Sequence, residues 1–154
     1  MILSLWKRIT KWPCGRWLFS RLIGFKAPYF STIKPRFQAL RPGYCEVRMK
    51  KRRAVLNHIG TVHAIAMCNL AELVAGTMTD VSIPKSHRWI PKGMTVEYVA
   101  KARTDLRAVA ELNPIPDITG AVELPVDVKV LDSAGNIVLK AEISMWVSPS
   151  RSSA

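Results

Sequence analysis

The run Thr61-Val62-His63-Ala64-Ile65-Ala66-Met67-Cys68-Asn69-Leu70-Ala71-Glu72-Leu73-Val74-Ala75-Gly76-Thr77-Met78 decides the fold. Its length and composition predict one helix, ended by the Gly76 region and Asp80. Val62, Ala64, Ile65, Ala66, Met67, Leu70, Ala71, Leu73, Val74 and Ala75 fall on every side of it. A helix that is apolar all round is buried all round. Other elements must therefore wrap it.

The flanking sequence supplies them. Tyr44 to Arg53 alternates loosely and reads as a strand before the helix, with Ala54 to Gly60 as the connecting loop. Four strands are predicted after it, over 94–102, 106–112, 121–131 and 136–147. In the clearest pair, Val122, Leu124, Val126, Val128 and Val130 are followed by Ile137, Leu139, Ala141, Ile143 and Met145. The turn between them is Ser133-Ala134-Gly135-Asn136. Pro125 inside the first of these strands suggests an edge or a bulge. The fold class is α+β, a meandering antiparallel sheet curled around one long helix. Residues 43–148 form this domain, 1–42 an N-terminal amphipathic helical arm and 149–154 a flexible tail. A chain of 154 residues suits one such domain.

Charge is concentrated at one end. Up to Cys45 there are nine Lys or Arg and no acid, whereas fourteen basic and eleven acidic residues follow. A basic arm could meet nucleic acid, a membrane surface or a phosphate-rich ligand. Interleaved Trp, Leu, Ile and Phe favour the membrane, and no nucleic-acid-binding signature accompanies them. Within residues 1–26, Ile2, Leu3, Leu5, Trp6 and Ile9 oppose Lys7, Arg8 and Lys11 on a helix. Trp17, Leu18, Leu22 and Ile23 resume the pattern against Arg16 and Arg21. Two readings stand: an interfacial anchor, or helices packing an apolar stripe on their own body.

Cys14, Cys45 and Cys68 have no short spacing, which fits a reducing compartment and gives no zinc or redox motif. No unbroken apolar stretch of roughly 18 residues occurs, and basic residues follow the apolar start rather than precede it, unlike a secretory signal. The expected location is the cytoplasm, with peripheral contact at the inner face of a membrane if the arm is an anchor.

Polar residues in a buried helix need a reason, because burial without partners is costly. His63 and Glu72 are nine residues apart, which puts them on opposite faces and roughly 14 Å apart along the axis. They can serve one substrate only if two helices lie antiparallel across a dimer. Asn69 lies one turn before Glu72.

The string Asn57-His58-Ile59-Gly60-Thr61-Val62-His63-Ala64, with Glu72 beyond it, resembles the hotdog-fold thioesterases. It is most similar to the PaaI-like branch of the 4-hydroxybenzoyl-CoA thioesterase superfamily. That branch shows an Asn, then Gly-Thr-x-His-Gly, then an acid eight residues beyond the last Gly. Asn57, Gly60, Thr61, His63 and Glu72 match, while Ala64 stands where Gly is usual. The elements Ala27-Pro28-Tyr29-Phe30 and Arg41-Pro42-Gly43 look like those of a less characterised branch. The resemblance covers residues 43–147.

It implies a hotdog fold, dimerised as a homodimer or a dimer of dimers, that hydrolyses acyl-CoA or another acyl-carrier thioester at the subunit interface without a cofactor. Glu72 would act as general base or nucleophile, and the Ala64 N–H would polarise the thioester carbonyl. Asn57 and His63 would orient the thioester or the water. Gly60, Thr61, Asn69 and Thr95 are the further substrate-binding candidates. Lys101 and Arg103 would meet the CoA phosphates, with Lys92 and Arg107 as further choices. Bland readings stand beside these: Glu72 satisfied by a partner chain, His63 a helix cap, Asn57 a turn residue. His58 is expected in solvent and His87 without a role, and three scattered histidines make no metal site. The alternative function is a non-catalytic acyl- or lipid-binding hotdog protein, to which Ala64 lends weight.

Overall fold

Alternation in the later strands dictates a sheet with one apolar face. In a computed structural model describing residues 2–150, that face is buried against the long helix. Leu124, Val126, Val128 and Val130 of one strand, and Leu139, Ala141, Ile143 and Met145 of the next, all lie in the core. The sheet is antiparallel and has six strands: β1 (Arg36–Arg41), β2 (Tyr44–Met49), β3 (His87–Tyr98), β4 (Leu106–Glu111), β5 (Val122–Leu131) and β6 (Ile137–Pro149). Helices α1 (Ile2–Ile9) and α2 (Gly15–Lys26) precede it, and α3 (Ala64–Ser82) is the central helix. The expected α+β class and the sheet wrapped on a helix are both present.

Several boundaries differ, each for a physical reason. The helix starts at Ala64 because Val62 is held in a bridge with Leu56 and donates its N–H to the Ala102 carbonyl at 2.9 Å. It continues past Gly76, which reads as a stop but serves a close approach. A Cβ there would stand 2.5 Å from the Trp89 ring. By length and hydropathy α3 could cross a membrane, yet 72% of it is buried inside the protein. It is the core helix.

The strand order, β1-β2-β4-β5-β6-β3, is not a simple meander. After α3 the chain enters β3 at the far edge, beside β6, and then crosses back along 99–105 to β4. That crossing is fixed where Val99 and Ala100 donate to the Val138 carbonyl and where the Ala102 carbonyl accepts from Val62. β3 begins at His87 rather than Met94, because Pro91 sits at a register shift on the edge strand, where a missing N–H is tolerated. Pro125 lies two residues beyond the last β4 partner of β5, so it too has no neighbour on that side.

A second strand precedes the helix. Residues 36–41, assigned to the arm by sequence, form β1 and pair with β2 across a bulge between Phe37 and Ala39. The arm also enters the core. Phe19 packs edge-on against Trp6 at 4.9 Å and against Phe37 at 5.1 Å between ring centroids. The Ser20 hydroxyl donates to the Arg16 carbonyl and accepts from the Phe37 N–H, tying α2 to β1. Of the tail expected over 149–154, Pro149 ends β6 and Ser150 donates to Ser86. Residues 151–154, like Met1, lie outside the described residues.

This packing makes the two faces of α2 unequal. Phe37→Ala, which empties the aromatic trio, should cost about 3–5 kcal/mol in urea unfolding. Phe25→Ala, on the exposed side, should change stability by less than about 0.5 kcal/mol.

Candidate active site at the start of the central helix

The segment before α3 is shaped by Asn57. Its Oδ1 accepts from the N–H groups of Ile59 and Thr61, both at 3.1 Å, and its Nδ2 donates to the Thr61 hydroxyl at 2.8 Å. Gly60 closes this turn with φ at +76°, a conformation that favours glycine. Asn57 and buried Thr61 are thus brought together, and most of their hydrogen-bonding capacity serves the loop. His58 is exposed, as expected.

His63 caps the helix. Its N–H donates to the Val55 carbonyl at 2.8 Å, and its Nδ1 accepts from the Ile65 N–H at 3.0 Å. An accepting Nδ1 places the proton of the neutral ring on Nε2, leaving that N–H as a free donor. The N–H groups of Ala64 and Ala66, in the first turn, have no protein acceptor among the described residues. Together they form the positive end of a 19-residue helix.

A cavity of about 220 Å³ opens beside this terminus. Leu56, His63, Ala66 and Asn69 form one wall, and Tyr29 and Thr32 the other. The two wall residues come from a 3₁₀ segment, Pro28–Ile33, started by its proline and tightened where Ser31 and Thr32 donate back to the Pro28 and Tyr29 carbonyls. Asn69 is buried. Its Nδ2 donates to the Thr32 hydroxyl at a long 3.3 Å, and its Oδ1 has no partner. Since an unpaired buried acceptor is costly, the cavity is suited to a ligand that brings an N–H or O–H. Tyr29 and Thr32 were not anticipated from sequence; the proline at the start of a short polar-capped turn was the available signal.

Glu72 does not line this cavity. Its neighbours one turn to either side face β3: the Cys68 thiol meets the Tyr98 hydroxyl at 3.3 Å, and Gly76 lies under Trp89. Asp80, a further turn along, accepts from the Trp89 indole N–H at 3.4 Å. Glu72 shares that row and so lies over the middle of β3, half-buried, with no hydrogen bond or ion pair among the described residues. The contact with Cys68 raises the Tyr98 pKa, and burial adds to this.

The remaining candidates divide by location. Lys101 and Arg103 flank Ala102 on the crossing segment that holds the helix lead-in, exposed and unpaired among the described residues. Lys92 and Arg107 are engaged elsewhere, in ion pairs with Glu123 and Glu46. Thr95 pairs with Glu142 on the face of the sheet away from α3, where it borders a separate and larger hollow of about 680 Å³, so the structure does not bring it to the cavity. His87 contacts the Ser86 hydroxyl. No group of metal-ligating side chains occurs among the described residues.

Comparison with known proteins follows the same lines. No curated protein matches the chain. The structural-genomics protein APC5556 is 52% identical, with 97% of this chain and 99% of that one covered at a TM-score of 0.85. PA5026 from Pseudomonas aeruginosa, described as a protein of unknown function and probable thioesterase, is 26% identical. There 85% of this chain and 93% of that one are covered, at a TM-score of 0.78. The thioesterase HI1161 from Haemophilus influenzae shares the fold at 12% identity, covering 79% of this chain and 82% of its own, at a TM-score of 0.69. A family model described as Domain of unknown function (DUF4442) matches residues 15–147. The chain therefore belongs to the DUF4442 family, and its fold is that of the hotdog thioesterase superfamily.

Proposed function

We propose that this protein hydrolyses acyl-CoA thioesters at a site shared between two copies of the chain. The observation that carries the reading is Glu72, a half-buried carboxylate with no partner among the described residues, on a helix whose middle is otherwise buried in the core. A carboxylate kept without a protein partner on a core helix is free to act on water or on a bound ligand. The thioesterase descriptions of PA5026 and HI1161 support the same reaction class.

The roles follow from the chemistry. Glu72 takes a proton from water as the water oxygen adds to the thioester carbonyl, or adds to that carbonyl itself to form an anhydride that water then cleaves. In either case the C–S bond breaks, the thiolate leaves and is protonated, and the carboxylic acid is released. Developing charge on the carbonyl oxygen is met by the free N–H groups at the start of α3, led by Ala64, where the helix dipole favours it. The His63 Nε2–H adds a donor, and Asn57 holds the loop that presents it. Asn69 accepts from an N–H or O–H of the bound substrate. Lys101 and Arg103 lie where CoA phosphates could be met.

Two copies are needed because His63 and Glu72 serve opposite sides of α3. The partner surface is supplied by β3, a strand of 12 residues at the sheet edge with exposed Ile90, Met94 and Tyr98. An unpaired edge of this length, open from Met94 to Tyr98 beyond the Pro91 irregularity, can serve as a template for pairing with another strand. Antiparallel pairing of β3 with its two-fold mate brings Glu72 of one copy towards the helix start of the other.

Glu72→Gln should fold normally and lower kcat on acyl-CoA about 10²- to 10⁴-fold; wild-type turnover in that variant would remove Glu72 from the mechanism. A shared site has a sharper signature. Inactive Glu72→Gln and His63→Ala dimers, mixed and allowed to exchange, should recover about a quarter of wild-type activity, since half the dimers then hold one intact site. No recovery after verified exchange would confine the site to one chain. Asn69→Leu should leave thermal stability unchanged or higher, as it removes an unpaired acceptor. It should raise KM about tenfold through the lost substrate hydrogen bond. Unchanged KM would take Asn69 out of the site.

A further inference from the structure

Helix α2 is apolar on two sides, and the core uses one of them. Phe19 and Ile23 are buried. Trp17, Leu18, Leu22 and Phe25 point outward, spanning an arc of about 140° at 100° per residue, and all four are exposed. Trp12 and Tyr29 are exposed just before and just after the helix, and Trp12 shares a hollow with Trp17. The exposures are large: 88% for Phe25, 74% for Trp12, 66% for Tyr29 and 58% for Trp17. Single exposed apolar residues need no explanation, but several on one helix face, with Trp17 and Phe25 lining one hollow and Trp12 and Trp17 another, mark an interaction surface.

The charge around it identifies the partner. Lys11, Arg16, Arg21 and Lys26 are exposed among these aromatics, and no acid occurs before Glu46. A hollow of about 510 Å³ in the middle of the surface is lined by Trp17, Arg21, Phe25, Ser31, Lys34 and Arg36. It brings three exposed cations together with two of the exposed aromatic rings. α1, by contrast, is used internally: Trp6 is buried, and Ile2, Leu3, Leu5 and Ile9 pack against the core.

We infer that the α2 surface docks on an anionic phospholipid bilayer, with Trp12, Trp17, Phe25 and Tyr29 entering the interface and Arg21, Lys34 and Arg36 receiving a headgroup phosphate. Aromatic side chains prefer the headgroup level, and Lys and Arg are drawn to the negative surface of anionic lipid. A second copy is the competing occupant. A two-fold contact would set this acid-free surface against itself, which like charge opposes. Tyr29 also walls the cavity at the start of α3, so the docking surface borders the candidate active site.

The test is sedimentation of the full chain with vesicles of phosphatidylcholine alone and of phosphatidylcholine mixed with phosphatidylglycerol. Wild-type protein should sediment with the mixed vesicles, weaken as salt is raised, and show a blue-shifted tryptophan emission on binding. Trp17→Ser with Phe25→Ser should lower the partition coefficient about tenfold or more. Arg21→Glu with Lys34→Glu should abolish the preference for anionic vesicles. All of these residues are exposed, so circular dichroism melts should match wild type and separate lost binding from lost folding. Three results overturn the proposal: no binding to mixed vesicles, equal binding to both kinds, or binding untouched by either double variant. A lipid-free oligomer that these same variants dissociate would also overturn it, in favour of a second copy.

Discussion

Burial of α3 on all sides is the constraint on which the rest of the structure depends. Leu70, Val74 and Met78 are fully buried along it, and each such side chain is worth about 1.5–3 kcal/mol relative to exposure. One sheet can cover a helix on one side only, so the remaining cover must come from elsewhere. The sheet curls, and the arm closes the gap with Trp6, Phe19, Ile33 and Phe37, all in the same core as α3. This explains why an acid-free, strongly basic segment is tolerated next to the body. Its apolar half is structural, and its charges stay in solvent.

The same constraint decides what could be read from the sequence. A helix apolar on every side and the period-2 strands β5 and β6 announce themselves, because each is covered in the way its pattern implies. β1 does not, since the bulge between Phe37 and Ala39 breaks its alternation. β3 is harder still. Nearly all of it is exposed in the protomer, so no alternation of burial shapes the sequence from His87 to Tyr98. Gly76 reads as a stop only because sequence does not show the Trp89 ring that requires it.

The site divides in the same way. Asn57, Gly60, Thr61 and His63 lie within one loop and cap, so a local pattern locates them. Asn57 then proves to be largely occupied in holding that loop. Tyr29 and Thr32 reach the cavity from more than thirty residues upstream of Asn69 in the chain, and no local spacing encodes that approach. Thr95 shows what a residue pattern leaves out. The resemblance makes it a candidate, but strand register sets it opposite Glu142 on the outer face, away from the cavity at the start of α3, and one residue of register exchanges the two faces of a strand.

What is unsatisfied in the folded chain also forms a pattern. Among the described residues, Glu72 beside β3 has no partner, Asn69, about 60° round the helix and bonded to Thr32, has an unpaired oxygen, and β3 has a free edge. An isolated protomer would bear the cost of the buried Asn69 oxygen and of the open strand edge, each unfavourable, while the Glu72 carboxylate stays available. A single two-fold contact through β3 would pair the edge and set each carboxylate towards the other copy's helix start, where substrate would meet the remaining acceptor. The outer surface of α2 lies outside that arrangement. Its exposed aromatics are used neither by the core nor by a contact through β3, which is why they call for a partner of a different kind.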